Sequence, residues 1–419
     1  MKHLNITAPA NFHQESIITL PLSKSIANRM LIIGYMTSFE NSISIPECDD
    51  SVILLNLLRR LRQDKNEEQT ISLSEYNAGE AGTVFRFLAA LLAIIPGKRI
   101  LTGSSRMLER PCRPLVEALK MLGAECSYLG REGYPPLLIN GKKLQGGKVT
   151  IDSSISSQFI TGLMLIAPMF PLGLTIELKG SKVSMPYIEL TAQLMRLCGI
   201  SISFDTNIIS VYPGNYLSGV NYYEGDWSAA SYWYVAMALI QSQQCIILKG
   251  LNKESSQGDK RVSEIFTNFG VSSEWHNRNL YLRNNGNVCK SIKIDLTENP
   301  DLAPSVAIVC AGLGINSTLT GLQTLAIKES NRLDALSNEL SKLGYDCSVN
   351  NQSSLIISGR KRQLLNNSID TYHDHRIAMA MSLLSLKHGS LVLNDPSVVS
   401  KSYPSFWKDL ESVGFIITR

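Results

Sequence analysis

The chain has 419 residues, which is more than one hydrophobic core usually supports, so two domains are expected. Hydrophobic residues make up 44% of the sequence and charged residues 18%, as in ordinary soluble globular proteins. The formal net charge of +4 is too small to indicate a nucleic-acid partner by itself.

The start of the chain and its cysteines bear on the cellular compartment. Residues 1–16 lack the apolar stretch of a signal peptide. The eight cysteines contain no C-x-x-C pair and no regular spacing, which is typical of free thiols in a reducing compartment. We therefore expect a cytoplasmic protein.

A pattern built around a glycine recurs along the chain. The five copies are centred on Gly123, Gly199, Gly270, Gly344 and Gly414, which lie 70 to 76 residues apart. Each glycine follows an amphipathic helix pattern, such as Val262, Ile265, Phe266 and Phe269, or Leu333, Leu336, Leu340 and Leu343. The glycine is expected to be the left-handed C-cap of that helix, and two short strands are predicted after it. This regular spacing predicts an internally repeated architecture.

Each repeat also contains a second helical segment that is apolar on every face. These segments are residues 25–36, 82–95, 156–168, 229–240, 303–314 and 375–386. A helix without a polar face is buried inside the protein. The pattern predicts an α/β (α+β) fold of two similar domains, each with three βαβαββ units around buried parallel helices. We place one domain at residues 1–20 plus 226–419 and the other at residues 21–225.

Polar residues gather at the amino ends of these six apolar segments. A helix N-terminus offers free N–H groups and a partial positive charge, and it therefore favours anions. If the buried helices of each domain point the same way, their ends meet at the cleft between the domains, where we expect the active site. The alternative is ordinary capping of single helices by Ser, Asp and Gly.

One segment has the length of a membrane span. Residues 159–176 carry no charge, but they contain Gly162, Pro168, Pro171 and Gly173. These residues are expected to divide the segment into a buried helix, a turn and the start of a strand. We therefore predict no membrane partner.

Eight short motifs resemble, in order, those of the 5-enolpyruvylshikimate-3-phosphate synthase family. They are PLSKSIANR (21–29), AGTVFR (81–86), ERP (109–111), SSQF (156–159), SMPYIELT (184–191), IKESNRL (327–333), DHRIAMA (374–380) and SKSYP (400–404). The resemblance covers essentially the whole chain and implies two domains of three βαβαββ units. It also implies transfer of an enolpyruvyl group from phosphoenolpyruvate to the 5-hydroxyl of shikimate 3-phosphate, without a cofactor or metal, by a protein expected to be monomeric.

The basic residues of these motifs suit that chemistry, since the two substrates together carry about six negative charges. They are Lys24, Arg29, Arg86, Arg110, Lys328, Arg332, Arg376 and Lys401. Arginine matches carboxylates because its planar fork bonds both oxygens. The resemblance implies that phosphoenolpyruvate contacts Lys24, Gly82, Arg110, Gln158, Arg332, Arg376 and Lys401. Within this set, Arg332 and Arg376 would hold its carboxylate and the others its phosphate.

The resemblance also implies the shikimate 3-phosphate site and the catalytic groups. The residues for this substrate are Lys24, Ser25, Arg29, Ser156, Ser157, Gln158, Ser184, Asp301 and Lys328. The implied catalytic residues are Lys24, Asp301 as the base for the 5-hydroxyl and Glu329 as the acid for the methylene carbon. A helix N-cap remains the alternative for Asp301, and an ion pair with Arg332 the alternative for Glu329.

Two further motifs invite other chemistry. His373 and His375 would share one face of a strand, but no third metal ligand of matching spacing is evident, so a metal site is not expected. Cys112 invites a comparison with UDP-N-acetylglucosamine enolpyruvyl transferase, which uses a loop cysteine. It lies in ERPCRP without a glycine-rich loop, so a structural cysteine is favoured.

Three positions depart from the family pattern. Glu80 replaces the usual Asn beside a phosphate site, Phe87 replaces Pro or Leu, and Thr324 stands where many members have an Asn that contacts shikimate 3-phosphate. Two rival functions remain at this point. One is enolpyruvyl transfer to UDP-N-acetylglucosamine. The other is a non-catalytic or RNA-end-processing protein, which would need an exposed basic stripe with aromatic residues.

Overall fold

The computed structural model describes residues 3–10, 12–66, 73–240, 244–361 and 366–419. The chain divides into two compact units. Unit 1 comprises Met1–Ser23 and Glu224–Arg419, and unit 2 comprises Lys24–Tyr223. The chain therefore passes from one unit to the other after Ser23 and again after Tyr223.

Strands and helices alternate along the described residues. The strands are β1 (His3–Thr7), β2 (Glu15–Thr19), β3 (Ser74–Asn77), β4 (Gly97–Thr102), β5 (Glu125–Tyr128), β6 (Leu137–Gly141), β7 (Gly147–Asp152), β8 (Leu174–Lys179), β9 (Ile202–Asp205), β10 (Ile208–Val211), β11 (Cys245–Lys249), β12 (Phe269–His276), β13 (Asn279–Val288), β14 (Ser291–Asp295), β15 (Asn316–Thr320), β16 (Tyr345–Asn350), β17 (Ser354–Lys361), β18 (Ser368–Ile369), β19 (Ser390–Asn394) and β20 (Ile416–Thr418). The helices are α1 (Lys24–Met36), α2 (Asp49–Asn66), α3 (Gly82–Ile94), α4 (Ser105–Leu108), α5 (Arg113–Met121), α6 (Ser157–Ile166), α7 (Met185–Leu197), α8 (Trp227–Leu239), α9 (Val262–Ile265), α10 (Ala303–Leu313), α11 (Arg332–Lys342), α12 (His375–Ser382), α13 (Ser385–His388) and α14 (Phe406–Ser412). The predicted mixed α/β class is confirmed.

The described residues of unit 1 form three four-stranded sheets, with strand orders β2-β11-β13-β12, β14-β15-β17-β16 and β18-β19-β1-β20. In each sheet the first two strands are parallel and the other pairs are antiparallel. A parallel pair needs a crossover connection, and α8, α10 and α12 lie within these crossovers. Two of the sheets are completed by β1 and β2, which come from the start of the chain.

Unit 2 contains two sheets of the same pattern among its described residues, with orders β3-β4-β6-β5 and β7-β8-β10-β9. Their parallel pairs, β3 with β4 and β7 with β8, are joined through α3 and α6. The predicted sixth βαβαββ unit differs. Within the described residues 24–66, it consists of α1, α2 and a 3-10 turn, without a strand.

The apolar segments are helices whose side chains are almost entirely buried. In α8, for example, every residue except Ser228 is buried, and α3 and α10 are nearly as enclosed. Helices α8, α10 and α12 belong to the core of unit 1, while α1, α3 and α6 belong to the core of unit 2. Burial of the apolar side chains stabilises each core by about 25 cal/mol per Å² removed from water. The prediction of buried helices is therefore correct.

The repeat glycines adopt the left-handed backbone region, as the C-cap prediction requires. Their φ angles are 88° at Gly123, 89° at Gly199, 78° at Gly270, 84° at Gly344 and 107° at Gly414. At the first of these, Ala124 N–H donates to the Leu119 carbonyl and Gly123 N–H to that of Lys120, the arrangement of a Schellman cap.

The predicted helix at residues 262–269 is shorter than expected. It consists of α9 and a 3-10 turn at Phe266–Asn268, and the chain enters β12 at Phe269. The rings of Phe266 and Phe269 pack edge to face at 5.2 Å, so both remain in the core although only one is helical.

The uncharged segment 159–176 is divided as predicted. It runs through α6, a 3-10 turn at Ala167–Met169 and the start of β8. Across the described part of the chain, every helix is too short or too polar to span a membrane.

Candidate active site

Unit 1 gathers seven charged side chains, six of them at or just before the starts of its helices. Asp301 lies in a 3-10 turn just before α10, Lys328 and Glu329 lie in the segment before α11, and Arg332 is the first residue of α11. Asp374 is the N-cap of α12, Arg376 is the second residue of that helix, and Lys401 ends the 3-10 helix Pro396–Lys401. The repeated βαβαββ topology therefore brings together side chains that are far apart in the sequence.

Arg332 is the centre of this group, with only 1% of its side chain exposed. Its Nε donates to Asp374 Oδ2 at 2.7 Å, its Nη1 to Asp301 Oδ1 at 3.0 Å and its Nη2 to Glu329 Oε2 at 2.8 Å. Burial alone lowers the pKa of Arg332, but the three carboxylates outweigh this effect and raise it above its ordinary value. The guanidinium therefore stays charged and binds both carboxylates that were predicted to be catalytic.

Asp301 is surrounded by cations. Arg376 Nη2 donates to its Oδ2 at 3.0 Å, and Lys328 Nζ lies 3.4 Å from its Oδ1, which also accepts from Arg332. Burial raises the pKa of Asp301, but attraction to Arg376, Lys328 and Arg332 is stronger and holds it well below its usual range. Asp301 is therefore ionised, and its side chain does not cap α10.

Glu329 sits between two cations. Arg332 Nη2 contacts its Oε2, and Lys401 Nζ lies 4.0 Å from its Oε1. The ion pair with Arg332 that was the alternative interpretation is thus present. It does not exclude an acid role, because the same contact places Glu329 within the cluster that contains Asp301.

Unit 2 carries a second group of predicted residues at the start of α3. Gly82 is the first residue of this helix, and a Cβ atom there would lie 2.6 Å from Arg110 Nη1 and 2.7 Å from Arg86 Nη1. Both guanidinium groups thus pack directly over the glycine. Gln158, at the start of α6, donates from Nε2 to Thr83 Oγ1 at 3.1 Å. Gly82 and Gln158, both predicted to bind phosphoenolpyruvate, therefore lie at neighbouring helix starts, and the guanidinium of Arg110 reaches the first of them.

Seven of the nine residues predicted for shikimate 3-phosphate lie in unit 2, in α1 and at the amino ends of α6 and α7, whereas Asp301 and Lys328 belong to the group in unit 1. Arg29 donates to the Ser25 carbonyl at 2.7 Å, to the Tyr187 carbonyl at 3.0 Å and to Thr191 Oγ1 at 2.8 Å. Burial lowers the pKa of Arg29 to about 10, so it remains charged at neutral pH. These bonds join Arg29 of α1 to α7.

Three of the four predicted serines, Ser156, Ser157 and Ser184, lie at the starts of α6 and α7. Ser156 is the N-cap of α6 and accepts a hydrogen bond from Gln158 N–H at 3.2 Å, and Ser157 follows it. Ser184 precedes α7 in the left-handed region, with φ of 56°. Its side chain makes no capping hydrogen bond to α7, unlike that of Ser156.

Lys24 is paired with an acid that the sequence analysis did not identify. Its Nζ lies 3.0 Å from Asp50 Oδ2, and the Asp50 side chain is almost fully buried. Asp49 and Asp50 lie in the first turn of α2. Acids at this position commonly stabilise a helix, so their presence in the sequence does not predict an ion pair with Lys24.

The sequence likewise predicted no role for Asp374, although it is the first residue of the motif DHRIAMA (374–380). It is completely buried, accepts two hydrogen bonds from Arg332 and one from Ser330 Oγ, and caps α12 through Arg376 N–H. Ser228 Oγ, 3.4 Å from Arg376 Nη2, is a further contact that the sequence did not predict.

The two histidines considered as metal ligands do not lie on a strand. His373 is exposed in a turn, where its Nδ1 lies 2.9 Å from Asp395 Oδ2, whereas His375 is buried as the first residue of α12. No group of three potential ligands of the kind that holds a metal ion occurs within the described ranges.

Cys112 is enclosed rather than reactive. Its Sγ lies 3.4 Å from the Gly133 carbonyl, and burial raises the pKa of the thiol to about 12. All eight cysteines are free. Because the thiolate is the nucleophilic form, this environment does not favour covalent catalysis.

The three departures occupy different environments. The Glu80 carbonyl accepts from Arg110 Nη1 at 3.4 Å. Phe87 lies buried beneath the Arg29 guanidinium, 5.7 Å from it. Thr324 is buried, and its hydroxyl makes no hydrogen bond to another described residue.

Comparison with known proteins gives one consistent result. Residues 10–410 match the family model described as EPSP synthase (3-phosphoshikimate 1-carboxyvinyltransferase). The chain is 40% identical over 418 residues to the 3-phosphoshikimate 1-carboxyvinyltransferase of Bacteroides fragilis strain YCH46, covering 99% of this chain and 98% of that protein. It is 35% identical to the enzyme of the same name from Psychromonas ingrahamii, covering 94% and 96% of the two chains. The fold matches a solved EPSP synthase from Acinetobacter baumannii with a TM-score of 0.75 over both complete chains, at 21% identity.

Proposed function

The chain belongs to the EPSP synthase family of 3-phosphoshikimate 1-carboxyvinyltransferases, and we propose that the two groups of side chains described above bind the substrates and move the protons of that reaction. The function is transfer of the enolpyruvyl group of phosphoenolpyruvate to shikimate 3-phosphate, with release of phosphate, in the shikimate pathway. The role of each residue in binding and proton transfer is proposed below from its contacts.

The contacts of Arg332 are the main support for placing proton transfer in this group of side chains. This buried guanidinium hydrogen-bonds to both Asp301 and Glu329, the two carboxylates needed for proton transfer. The surrounding cations, Lys328, Arg332, Arg376 and Lys401, outnumber the carboxylates Asp301, Glu329 and Asp374 by four to three. This concentration of positive charge supports binding of an anion here.

Arg332 and Arg376 bind the carboxylate of phosphoenolpyruvate in this proposal. Both already donate to a carboxylate, that of Asp301, so their donors are oriented for such a group. A substrate carboxylate that takes hydrogen bonds from these arginines competes with Asp301 for them. Fewer contacts and a nearby negative charge both raise the pKa of Asp301, which makes it a better base once the substrate is bound.

The phosphate of phosphoenolpyruvate is assigned to Lys24, Arg110, Gln158, Lys401 and the N–H of Gly82. Support comes from the start of α3, where Gly82 has no side chain and the guanidinium groups of Arg86 and Arg110 pack over it. A helix N-terminus with adjacent arginines is a favourable environment for a phosphate group.

Shikimate 3-phosphate is assigned to two groups of residues. Ser25 and Arg29 take its carboxylate, and Ser156, Ser157 and Ser184 take its phosphate, with Gln158, Lys24 and Lys328 as further contacts. The positions of the serines at the starts of α6 and α7 support phosphate binding, since helix N-termini attract anions. Asp301 is assigned to the 5-hydroxyl of shikimate 3-phosphate.

Proton transfer then follows from these assignments. Asp301, which is ionised, accepts the proton of the 5-hydroxyl, and that oxygen attacks the substituted carbon of phosphoenolpyruvate while Glu329 protonates the methylene carbon. The tetrahedral adduct then loses phosphate while the Glu329 carboxylate takes a proton back from the new methyl group, and this elimination regenerates the double bond. Lys24 and Lys401 stabilise the departing phosphate, and Arg332 orients both carboxylates. The protein acts as a cytoplasmic monomer in this proposal, without a nucleic-acid or membrane partner.

Phosphate release is the direct test. Purified protein should release phosphate only when phosphoenolpyruvate and shikimate 3-phosphate are both present. UDP-N-acetylglucosamine in place of shikimate 3-phosphate should give no release. Equal release with the nucleotide sugar, or release from phosphoenolpyruvate alone, would contradict the function. The residue assignments are tested separately by Arg376→Lys, which should raise the KM for phosphoenolpyruvate and leave that for shikimate 3-phosphate unchanged.

A further inference from the structure

The turn that leads into α12 has an unusual backbone. Tyr372 and His373 are consecutive non-glycine residues in the left-handed region, with φ angles of 53° and 54°. A bulky side chain rarely adopts this conformation, so surrounding contacts must stabilise it. Asp374, the next residue, is the carboxylate that holds Arg332.

Tyr372 is fixed by a buried acid on α11. Its hydroxyl donates to Glu339 Oε1 at 2.6 Å, and the Glu339 side chain is completely buried. The same carboxylate accepts from Lys342 Nζ at 2.8 Å and from Asp370 N–H at 3.2 Å. Glu339 therefore binds the turn through a side chain at Tyr372 and through the backbone at Asp370.

The Tyr372 hydroxyl remains protonated, and therefore a hydrogen-bond donor, at neutral pH. Burial and the hydrogen bond to Glu339 raise its pKa to about 12. A neutral donor bound to a carboxylate is one of the stronger hydrogen bonds in proteins. The contact is therefore suited to hold a backbone conformation that is unfavourable by itself.

The other side of the turn is bound to the segment that leads to Lys401. His373 Nδ1 lies 2.9 Å from Asp395 Oδ2, and Thr371 Oγ1 donates to the Asp395 carbonyl at 3.5 Å. Asp395 precedes the 3-10 helix that ends at Lys401 and has itself a φ of 51°. The turn is thus held between α11 and this segment.

The position of the turn sets the position of both arginines in the carboxylate site. Asp374 accepts from Nε and Nη2 of Arg332, and its Oδ1 also accepts from the backbone N–H of Arg376 at 2.9 Å. A displacement of Asp374 therefore moves the guanidinium of Arg332 and the start of the helix that carries Arg376.

We propose that Tyr372 and Glu339 are a positioning pair, which fixes Asp374 and thereby orients Arg332 and Arg376 toward the carboxylate of phosphoenolpyruvate. Neither residue touches the substrate. The inference rests on the proposed function, because it requires that these arginines bind phosphoenolpyruvate.

Tyr372→Phe tests the pair because it removes one hydroxyl and keeps the ring. The KM for phosphoenolpyruvate should rise about tenfold, the scale expected for loss of a hydrogen bond to a charged group. The KM for shikimate 3-phosphate should stay close to the wild-type value, whereas kcat should fall as well, because Arg332 also holds Asp301 and Glu329. A purely structural role would lower the midpoint of thermal unfolding without this selective change in one KM.

Tyr345→Phe is a matched control in the same unit. The Tyr345 ring is buried, and its hydroxyl is hydrogen-bonded to His388 Nε2 at 3.0 Å, away from Asp374 and the two arginines. This variant should leave both KM values unchanged. Equal changes in the two variants, or an unchanged KM for phosphoenolpyruvate in Tyr372→Phe, would overturn the positioning role.

Arg376→Lys separates the two proposals. If Arg376→Lys raises the KM for phosphoenolpyruvate and Tyr372→Phe does not, the positioning role is wrong while the proposed binding site stands. If Arg376→Lys itself has no effect on that KM, the assignment of the carboxylate site is wrong.

Discussion

Arg332 Nη1 donates a hydrogen bond to Asp301 Oδ1 at 3.0 Å, so the residue assigned to the substrate carboxylate is already bound to the residue assigned as the base. In this state the carboxylate of Asp301 is ionised but weakly basic, because its pKa is held well below the usual range. In the proposed mechanism, the carboxylate of phosphoenolpyruvate competes with Asp301 for its arginine partners, and the pKa of Asp301 rises as a result. The separation of the two proton-transfer roles, and their dependence on the cations around them, can be tested directly.

Asp301→Ala and Glu329→Gln should each lower turnover by roughly 10²-fold or more, the scale of a lost general acid or base. Glu329→Gln should also suppress the incorporation of solvent deuterium into phosphoenolpyruvate, a partial reaction that reports protonation of carbon. The defect of Asp301→Ala should instead become smaller at higher pH, where hydroxide replaces the base. Turnover measurements and mass spectrometry of recovered phosphoenolpyruvate check both effects. Normal turnover in Glu329→Gln would show that the acid is another group.

Asp301 should also contribute to the pH dependence of stability. Its pKa is lower in the folded chain than in the unfolded chain, where an aspartate has a value of about 3.9. The contribution to the free energy of unfolding is therefore fully present above about pH 5, declines as the pH falls below the unfolded value of about 3.9, and is lost completely only below the folded value. Denaturant unfolding from pH 6 to 3 should show a smaller acid-induced loss of stability in Asp301→Asn than in the wild type. Parallel curves for the two proteins would mean that the cations do not stabilise the ionised form.

Gly82→Ala should change inhibition by glyphosate, which we expect to compete with phosphoenolpyruvate in the wild-type protein. The added Cβ would lie 2.6 Å from Arg110 Nη1 and 2.7 Å from Arg86 Nη1, so both guanidinium groups must move. We expect a higher inhibition constant in the variant, measured by varying phosphoenolpyruvate at several glyphosate concentrations. Gly130→Ala is a suitable control, since its Cβ would find its nearest neighbour at 3.8 Å. Non-competitive inhibition of the wild-type protein would refute this prediction.

Cys112→Ser should keep nearly full activity. The thiol is buried and its pKa is raised to about 12, so almost none of it is thiolate at neutral pH. For the same reason, iodoacetamide should modify Cys112 slowly in the folded protein and rapidly after denaturation. Steady-state turnover and peptide mass spectrometry measure the two effects. Loss of activity in Cys112→Ser, with the fold retained, would point to a covalent cysteine step.

The sequence by itself determined the repeated unit and its buried helices. Apolar side chains on every face marked segments such as residues 229–240, and the helix observed there, Trp227–Leu239, lies within two residues of them. Glycine spacing likewise indicated left-handed caps such as Gly123. These predictions succeeded because hydrophobic periodicity and the left-handed preference of glycine are local properties, readable within a few turns of chain.

The tertiary structure alone decided which charged groups meet. Asp301 and Asp374 reach Arg332 from 31 and 42 residues away, and Asp50 reaches Lys24 from 26 residues away. It also decided that β1 and β2, from the start of the chain, complete two sheets of unit 1, and that residues 262–269 form only a short helix. A local sequence pattern does not predict these distant ion pairs, because they depend on where packing places the two helix starts. The residues of the site could thus be named from motifs, and so could the local ion pair of Glu329 with Arg332, whereas the pairing of Arg332 with Asp301 and Asp374 follows from packing.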